Sequence, residues 1–385
     1  MHIIALETYR EKYHKRKKDV PFVFLAGPIM GAPKWREEII NGNYDMNICW
    51  VNPDRGIIPK EMFKLDEQSN WETMYIRMSD VMLIWIPKPI ENIPGRDYAQ
   101  TTRIEFGENI ARKKKIIMGI EPGVHGEKYM RDKAERYGIM VYNTLKDTLN
   151  ATIAYLKSKQ EKDQQPFFTS DTHFGSQRAL ELSKRPFVNT VDMDWTMVER
   201  WNNVVPIDAN VFHLGDFGNY EMVKYLNGHI HLLLGNYERK EFDNSIVETK
   251  EQWMKILLHR YPFEAVKDDI SGLTSIVEPD LNNDNKFLTL YMVHEPSYAI
   301  NGYFSGDKGY YGLNVLKKLD KDSKENQMLL FGHIHGRQKI KHVGMDVGVD
   351  GNNFTPVDLS TICFYHNAIN NFYDENVYID YFVKE

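Results

Sequence analysis

Cysteine is almost absent: the 385 residues contain two, Cys49 and Cys363. Two thiols so far apart exclude a disulfide framework and a cysteine-based zinc site. Positive charge is not in excess either, since 48 Lys and Arg face 54 Asp and Glu for a net charge of −6. That balance excludes a chain-wide basic field for nucleic acid, although not a local patch. No run approaches the ~20 apolar residues of a membrane span. The opening MHIIALETYREKYHKRKKDV has no apolar stretch ending in a small-residue cleavage site. The chain reads as cytoplasmic, with no membrane partner. Internal repeats and low-complexity tracts are also missing.

What is present is length and pattern. A chain of 385 residues exceeds the ~250–300 at which one hydrophobic core stops growing, so two domains are expected. The polar stretch Lys157–Gln165, closed by Pro166, is the natural boundary and divides the chain into 1–160 and 166–385. It follows Leu145, Leu149, Ile153 and Leu156, whose spacing is helical. Before it, apolar runs predict strands at Phe22–Ala26, Val81–Ile86 and Ile116–Ile120. Helical patterns over Trp35–Ile40 and Ile104–Ala111 alternate with them. Such alternation predicts an α/β fold, a parallel sheet with helices on both faces.

After the boundary, short apolar runs end in metal-liking residues: FFTSDTH, VFHLGDF, IHLLLGN, LYMVHE and MLLFGHIH. Carboxyl ends of buried strands are where open α/β sheets place their sites. The clusters supply Asp171, His173, Asp216, Asn236, His294, His333 and His335. Imidazoles, carboxylates and one amide oxygen suit divalent transition ions such as Mn, Fe, Ni or Zn better than Cu(I) or Ca. Seven ligands with Asp216 shared would fill two sites. A strand-end histidine taken singly is more often a core or loop residue. His213 reads as structural or supporting, His231 as strand packing and His229 as exposed.

In order and content, DTHFG, GDFGN, GNYE, VHEP and GHIHG resemble the motifs of calcineurin-like metallophosphoesterases. RPFVNTVDMDWTMVERWNNVV and MDVGVDGNNFTPVDL resemble a subgroup of small bacterial and phage members. The resemblance implies a four-layer αββα sandwich. It implies one ion on Asp171, His173 and His335, a second on Asn236, His294 and His333, and Asp216 between them. It also implies hydrolysis of a phosphate ester by a metal-activated water. This chain departs from the family at Tyr237, where a histidine usually serves the leaving group. A tyrosine, with a pKa of about 10, is a poorer acid. Ser176 also stands where close relatives often carry histidine.

In the first half, Asp80 precedes the buried run VMLIWIP, Asp97 lies in a loop with Pro94 and Gly95, and Glu105 opens the helical segment EFGENIA. Three acids around one strand–loop–helix unit are expected to converge at a strand end, and a helix N-terminus would favour the Glu105 anion. FLAGPI, NPDR, SDVMLIWIP, TTRIEFG and KKKIIMGIEPG together resemble the nucleoside 2-deoxyribosyltransferase family, in its divergent "like" branch, over about Phe22 to Leu156. The resemblance implies that Glu105 is a nucleophile for the sugar anomeric carbon. Asp80 and Asp97 would then handle the departing base or the sugar, and Gly27, Pro28 and Ile29 would line the pocket. Trp71 and Glu72 are candidates for its border, although tryptophan is more often core.

The tracts His14–Lys18 and Arg112–Lys115 read as solvated faces. The expectation is therefore a bifunctional enzyme acting on small nucleosides or nucleotides. Its first domain would cleave or transfer an N-glycosidic bond, and its second would hydrolyse a phosphate ester with two divalent ions. The alternative is a metal-dependent nuclease or phosphodiesterase whose first domain only binds or senses a nucleotide. Nucleic acid is a possible but not a favoured partner, and a homo-oligomer is left open.

Overall fold

The computed structural model describes residues 1–7, 20–56, 63–95, 97–160, 165–268, 274–278, 286–295, 327–337, 339–341 and 344–372. The tract His14–Lys18 and residues 161–164 of the boundary stretch lie outside them. The chain divides into two compact units. One comprises Met1–Asp163 with Pro206–Asp208, the other Gln164–Val205 with Ala209–Glu385. Cys49 falls in the first and Cys363 in the second. Among the described residues no helix is long and apolar enough to cross a membrane.

The first unit is built on six strands: β1 (His2–Ile4), β2 (Phe22–Ala26), β3 (Cys49–Asn52), β4 (Val81–Ile86), β5 (Ile116–Ile120) and β6 (Val141–Tyr142). They form one sheet in the order β1-β3-β2-β4-β5-β6, with every pair parallel. Each residue of β2 and β4 is buried, as expected of a parallel sheet covered on both faces. The connecting helices are α1 (Trp35–Ile40), α2 (Leu65–Met78), α3 (Gln100–Ala111), α4 (Glu127–Arg136) and α5 (Leu145–Gln160). One core cluster joins Val23, Leu25, Val81, Leu83 and Trp85 of the sheet to Trp35, Ile39 and Leu156 of the helices.

Helix α3 begins at Gln100, four residues before the predicted start at Ile104. Ala99, left-handed at φ 57°, precedes it and offers no side-chain cap. The sequence therefore carried no start signal of the usual kind.

The second unit carries two five-stranded sheets. One holds β7 (Phe167–Thr169), β8 (Asn210–His213), β9 (His229–Leu233), β10 (Ala265–Lys267) and β16 (Val357–Asp358), in the order β10-β9-β8-β7-β16. The other holds β11 (Thr274–Glu278), β12 (Lys286–Met292), β13 (Gln327–Phe331), β14 (Ile340–Lys341) and β15 (Gly344–Asp346), in the order β11-β12-β13-β15-β14. The neighbours β7, β8 and β9 are parallel, as are β12 and β13. A single apolar cluster draws on both sheets: Phe168 and Val357 from one, Leu288, Leu290, Met292, Met328, Leu330 and Met345 from the other. Helices α6 (Gln177–Leu182), α7 (Thr190–Val204), α8 (Asn236–Asp243), α9 (Lys250–Arg260) and α10 (Leu359–Phe372) complete the unit. This is a mixed α/β architecture with flanking helices, its sheet wholly parallel in the first unit and its two sheets in the second parallel at the centre with antiparallel pairing at the edge strands β11, β14 and β16.

Candidate functional sites

All seven metal-type residues of the second unit stand just beyond the carboxyl ends of parallel strands. Asp171 and His173 follow β7, Asp216 follows β8, Asn236 follows β9, His294 follows β12, and His333 and His335 follow β13. Asp171, His173 and His335 bring donor atoms within 4.8 Å of one another. So do Asp216, His294 and His333. Asn236 joins the second group, its Oδ1 lying 2.8 Å from His294 Nε2 and 3.1 Å from His333 Nδ1. Asp216 stands between the groups, with Oδ2 3.5 Å from His173 Nε2 and Oδ1 3.4 Å from His294 Nε2.

The backbone is contorted to achieve this. Asp171, His173, Asp216, His333 and His335 all have left-handed φ, between 47° and 72°. Such values are uncommon for residues other than glycine, and they persist where the surroundings over-determine them. The glycines beside these residues permit the close approach: a Cβ at Gly332 would overlap Ser170 Oγ and Asp171 Oδ2.

Neighbouring groups aim the donors. His294 Nδ1 lies 2.9 Å from the Leu214 carbonyl oxygen, a bond in which it donates, so Nε2 faces the cluster. The Glu238 carboxylate accepts from the backbone N–H of Asp216, Phe217 and Gly235, all at 2.8 Å, and so pins the Asp216 loop. His213 accepts from Gly215 N–H and reaches Thr172 Oγ1 at 3.0 Å, tying the β7 loop to the β8 loop. This is the supporting role read for it. His231 stacks on Phe212, and His229 pairs with Glu264, so neither enters the cluster. Ser176 caps α6 by accepting from Ala179 N–H at 3.2 Å.

Burial lowers His173 and His333 to about 4, so both rings are neutral near pH 7, the form that ligates metal. Burial also opposes charge on His294, but the Asp216 carboxylate outweighs it and raises that imidazole to about 10. Asp216 is held well below the usual carboxylate range: burial would raise it, and His294 and His173 overcome that.

Among the described residues Asp171 Oδ1 and His173 Nε2 are buried without a hydrogen-bond partner. Buried polar atoms are ordinarily satisfied. A convergent His/Asp/Asn set with such orphaned atoms fits divalent transition ions. Tyr237 lies beside it, 38% exposed, its ring edge-on to His173 at 4.9 Å.

In the first unit the acids do not converge as expected. Asp80 sits at the amino end of β4, where its Oδ2 accepts from Phe22 N–H at 2.8 Å at the start of β2. Six residues of strand, roughly 20 Å, separate it from the carboxyl edge. Asp97 is exposed in the loop before α3. Glu105 is the sixth residue of α3 and does not open it, so no helix terminus favours its anion. Instead burial, aided by the charge of Glu72 and opposed by Arg36, pushes its carboxyl up to about 8.

The surroundings of Glu105 come from other elements. Arg36 of α1 is buried and donates to the carbonyls of Leu25, Gly27 and Pro28 at the carboxyl end of β2. Burial lowers it to about 10, against the charges of Asp54, Glu105 and Glu72. Glu72 of α2 accepts from Gln68 Nε2 at 2.7 Å, and burial raises its carboxyl too. Gly27 has no room for a side chain: a Cβ would overlap the Trp85 carbonyl oxygen and lie 2.6 Å from Trp35 Cζ2. Pro28 is buried and Ile29 exposed. Trp71 is core, with its Nε1 donating to the Glu7 carbonyl at 2.7 Å. Sequence reading missed Arg36 altogether, because an arginine in an amphipathic helix carries no local mark of its tertiary partners.

Comparison with known proteins adds three likenesses. A crystal structure of a protein of unknown function from Aquifex aeolicus aligns over 52% of this chain and 98% of its own, at 18% identity and a TM-score of 0.36. An uncharacterized protein of Methanocaldococcus jannaschii is 33% identical over 81 residues, 19% of this chain and 46% of that protein. The chain thus spans about half the length of the curated relative it matches. Residues 20–124, within the first unit, match the nucleoside 2-deoxyribosyltransferase-like family.

Proposed function

We propose that the chain is a two-site enzyme of nucleotide chemistry, with a metal-dependent phosphoesterase in the second unit and an N-glycosidic bond-cleaving or transferring site in the first. The observation that carries the reading is the convergence of seven sequence-distant donors, five of them at left-handed φ, beyond the strand ends of the second unit. A calcineurin-like four-layer sandwich is the architecture this reading assigns to the two sheets. Asp171, His173 and His335 would hold one ion and Asn236, His294 and His333 the other, with Asp216 serving both. Two such ions, when bound, would supply Lewis acidity toward a phosphoryl group and an activated water. The chain's own contribution is positional: Glu238 fixes Asp216 through three backbone N–H groups, and the Leu214 carbonyl fixes the His294 ring. Tyr237 offers a hydroxyl where a stronger acid would serve a leaving group better.

In the first unit the family match and the half-buried Glu105 beside Glu72 support glycosidic chemistry on a deoxynucleoside or deoxynucleotide. As its anion, Glu105 would attack the anomeric carbon, forming an ester as the C–N bond breaks and the base leaves with the bonding pair. Glu72, in place of Asp80, is the carboxylate within electrostatic reach of Glu105, and the departing base would take its proton from water. The position of Asp80 at the far end of β4 favours a second reading, in which this unit binds a nucleotide without turning it over.

A screen of the full chain with Mn²⁺ against nucleosides, nucleotides, cyclic nucleotides and DNA, read by chromatography for base and phosphate together, separates these. Phosphate release abolished in Asp216→Ala and base release abolished in Glu105→Ala are expected. Saturable nucleotide binding without base release would establish the binding-module reading for the first unit. No phosphate release from any ester would overturn the phosphoesterase.

A further inference from the structure

Behind one half of the metal-type cluster lies a buried ion pair that bonds to that half. Arg185 follows α6, and its side chain is wholly buried. Its Nε and Nη2 donate to the two carboxylate oxygens of Asp350, each at 2.8 Å. The same guanidinium reaches two backbone carbonyls, with Nη2 donating to Asp171 at 2.6 Å and Nη1 to Thr172 at 2.8 Å. On its other side Asp350 Oδ2 lies 2.8 Å from His335 Nδ1. Asp350 belongs to a 3-10 turn, Val349–Gly351, just after β15.

The chain of contacts therefore runs from His335 through Asp350 and Arg185 to the loop carrying Asp171 and His173. Among the described residues neither Arg185 nor Asp350 bonds to Asp216, Asn236, His294 or His333. Asp216, Asn236 and His294 are oriented by Leu214, by Glu238 and by one another, and one bond crosses between the groups, the His333 N–H donating to Asp171 Oδ2 at 2.7 Å. A carboxylate on Nδ1 fixes an imidazole as the tautomer whose Nε2 lone pair is free. Ser183 Oγ, 3.2 Å from the same nitrogen, would not impose that choice, since a hydroxyl both donates and accepts.

We propose that Asp350 and Arg185 are positioning residues for one metal position only, that of Asp171, His173 and His335, so that the two positions have separately set affinities. This rests on the reading that the cluster holds two divalent ions, and the test keeps the two claims apart. Metal-free full-length protein, as wild type, Asp350→Asn and Arg185→Lys, is titrated with Mn²⁺ and followed by calorimetry. Circular dichroism checks the fold of each variant. The wild type is expected to bind two ions per chain in two resolvable steps. In both variants one step weakens about 10–100-fold, and the other stays within about 2-fold.

In the zinc-loaded wild type, which does not depend on a variant folding, the ¹⁵N spectrum of His335 should show the proton on Nδ1. A wild type that binds no ions overturns the metal-centre reading itself. Two ions in the wild type with both steps unchanged in the variants, or weakened equally, overturns the positioning role alone. So does an Nε2–H tautomer at His335.

Discussion

At the residue scale the two candidate sites treat charge differently: the second unit concentrates opposite charges that hold one another, while the first half-buries a carboxyl that resists ionising. Glu105, pushed up to about 8 by burial, keeps its proton over a range in which an unfolded chain has lost it. The unfolded state then binds fewer protons, so stability falls as pH rises from roughly 4.5 to 8 and is level outside that window. Glu105→Gln removes the ionisation. It should raise first-unit stability at pH 8.5 by on the order of 1–2 kcal/mol and change it little at pH 4, as read by urea melts. Equal shifts at both pH values would show that burial is not acting on this group. If Glu105 is the nucleophile, base release should climb with pH toward the same point near 8 and then level off. Tyr237 permits a second forecast. With a histidine at 237, turnover of phosphate esters with poor leaving groups should rise roughly 10-fold or more. Nitrophenyl esters, which need no proton, should be hydrolysed at nearly the same rate. A loss on every ester would assign the tyrosine a positive role.

Among the elements, strands were the most legible. FVFLA and VMLIWI are short, wholly apolar and buried on both faces, and that local signature needs no tertiary information. Helix α3 was harder to delimit. Its first turn, QTTR, mixes β-branched and polar residues, and Ala99 provides no cap. Its start is set by tertiary contacts of the preceding loop, such as the Tyr98 hydroxyl donating to the Pro87 carbonyl at 2.8 Å. In the second unit the strand ends meet through glycine. Gly332 closes β13 where a methyl group would overlap Ser170 and Asp171 of the β7 loop. Gly332→Ala should therefore cost roughly 1–3 kcal/mol and weaken Mn²⁺ uptake in the same protein, measured by thermal melting and by metal analysis after desalting. A variant with normal stability and normal metal content would show that the two loops have more freedom than their contacts imply.

For the molecule as a whole, the seven clustered donors lie in the second unit and Glu105 lies in the first, so a ligand of one site should stabilise one unit. With Mn²⁺ at about 100 times its Kd, the second unit should gain about 2.7 kcal/mol. Dialysis against a chelator should remove that gain without moving the unfolding of the first unit, which Glu105→Gln shifts independently. Scanning calorimetry of both proteins with and without chelator tests this, and a common shift of all transitions would contradict it. The linear chain by itself determined the alternating elements, the buried strands and which polar side chains follow the strand ends of the second unit. Those properties reside in short runs, where apolar period and the residue after a strand are neighbours in sequence. Only tertiary structure decided that Asp80 stands at the wrong end of β4, that Arg36 and Glu72 surround Glu105, and that Arg185 and Asp350 brace His335. Arg185 and Asp350 are 165 residues apart, and the strength of a buried ion pair depends on distance and solvent exclusion, neither of which has any imprint on the local pattern.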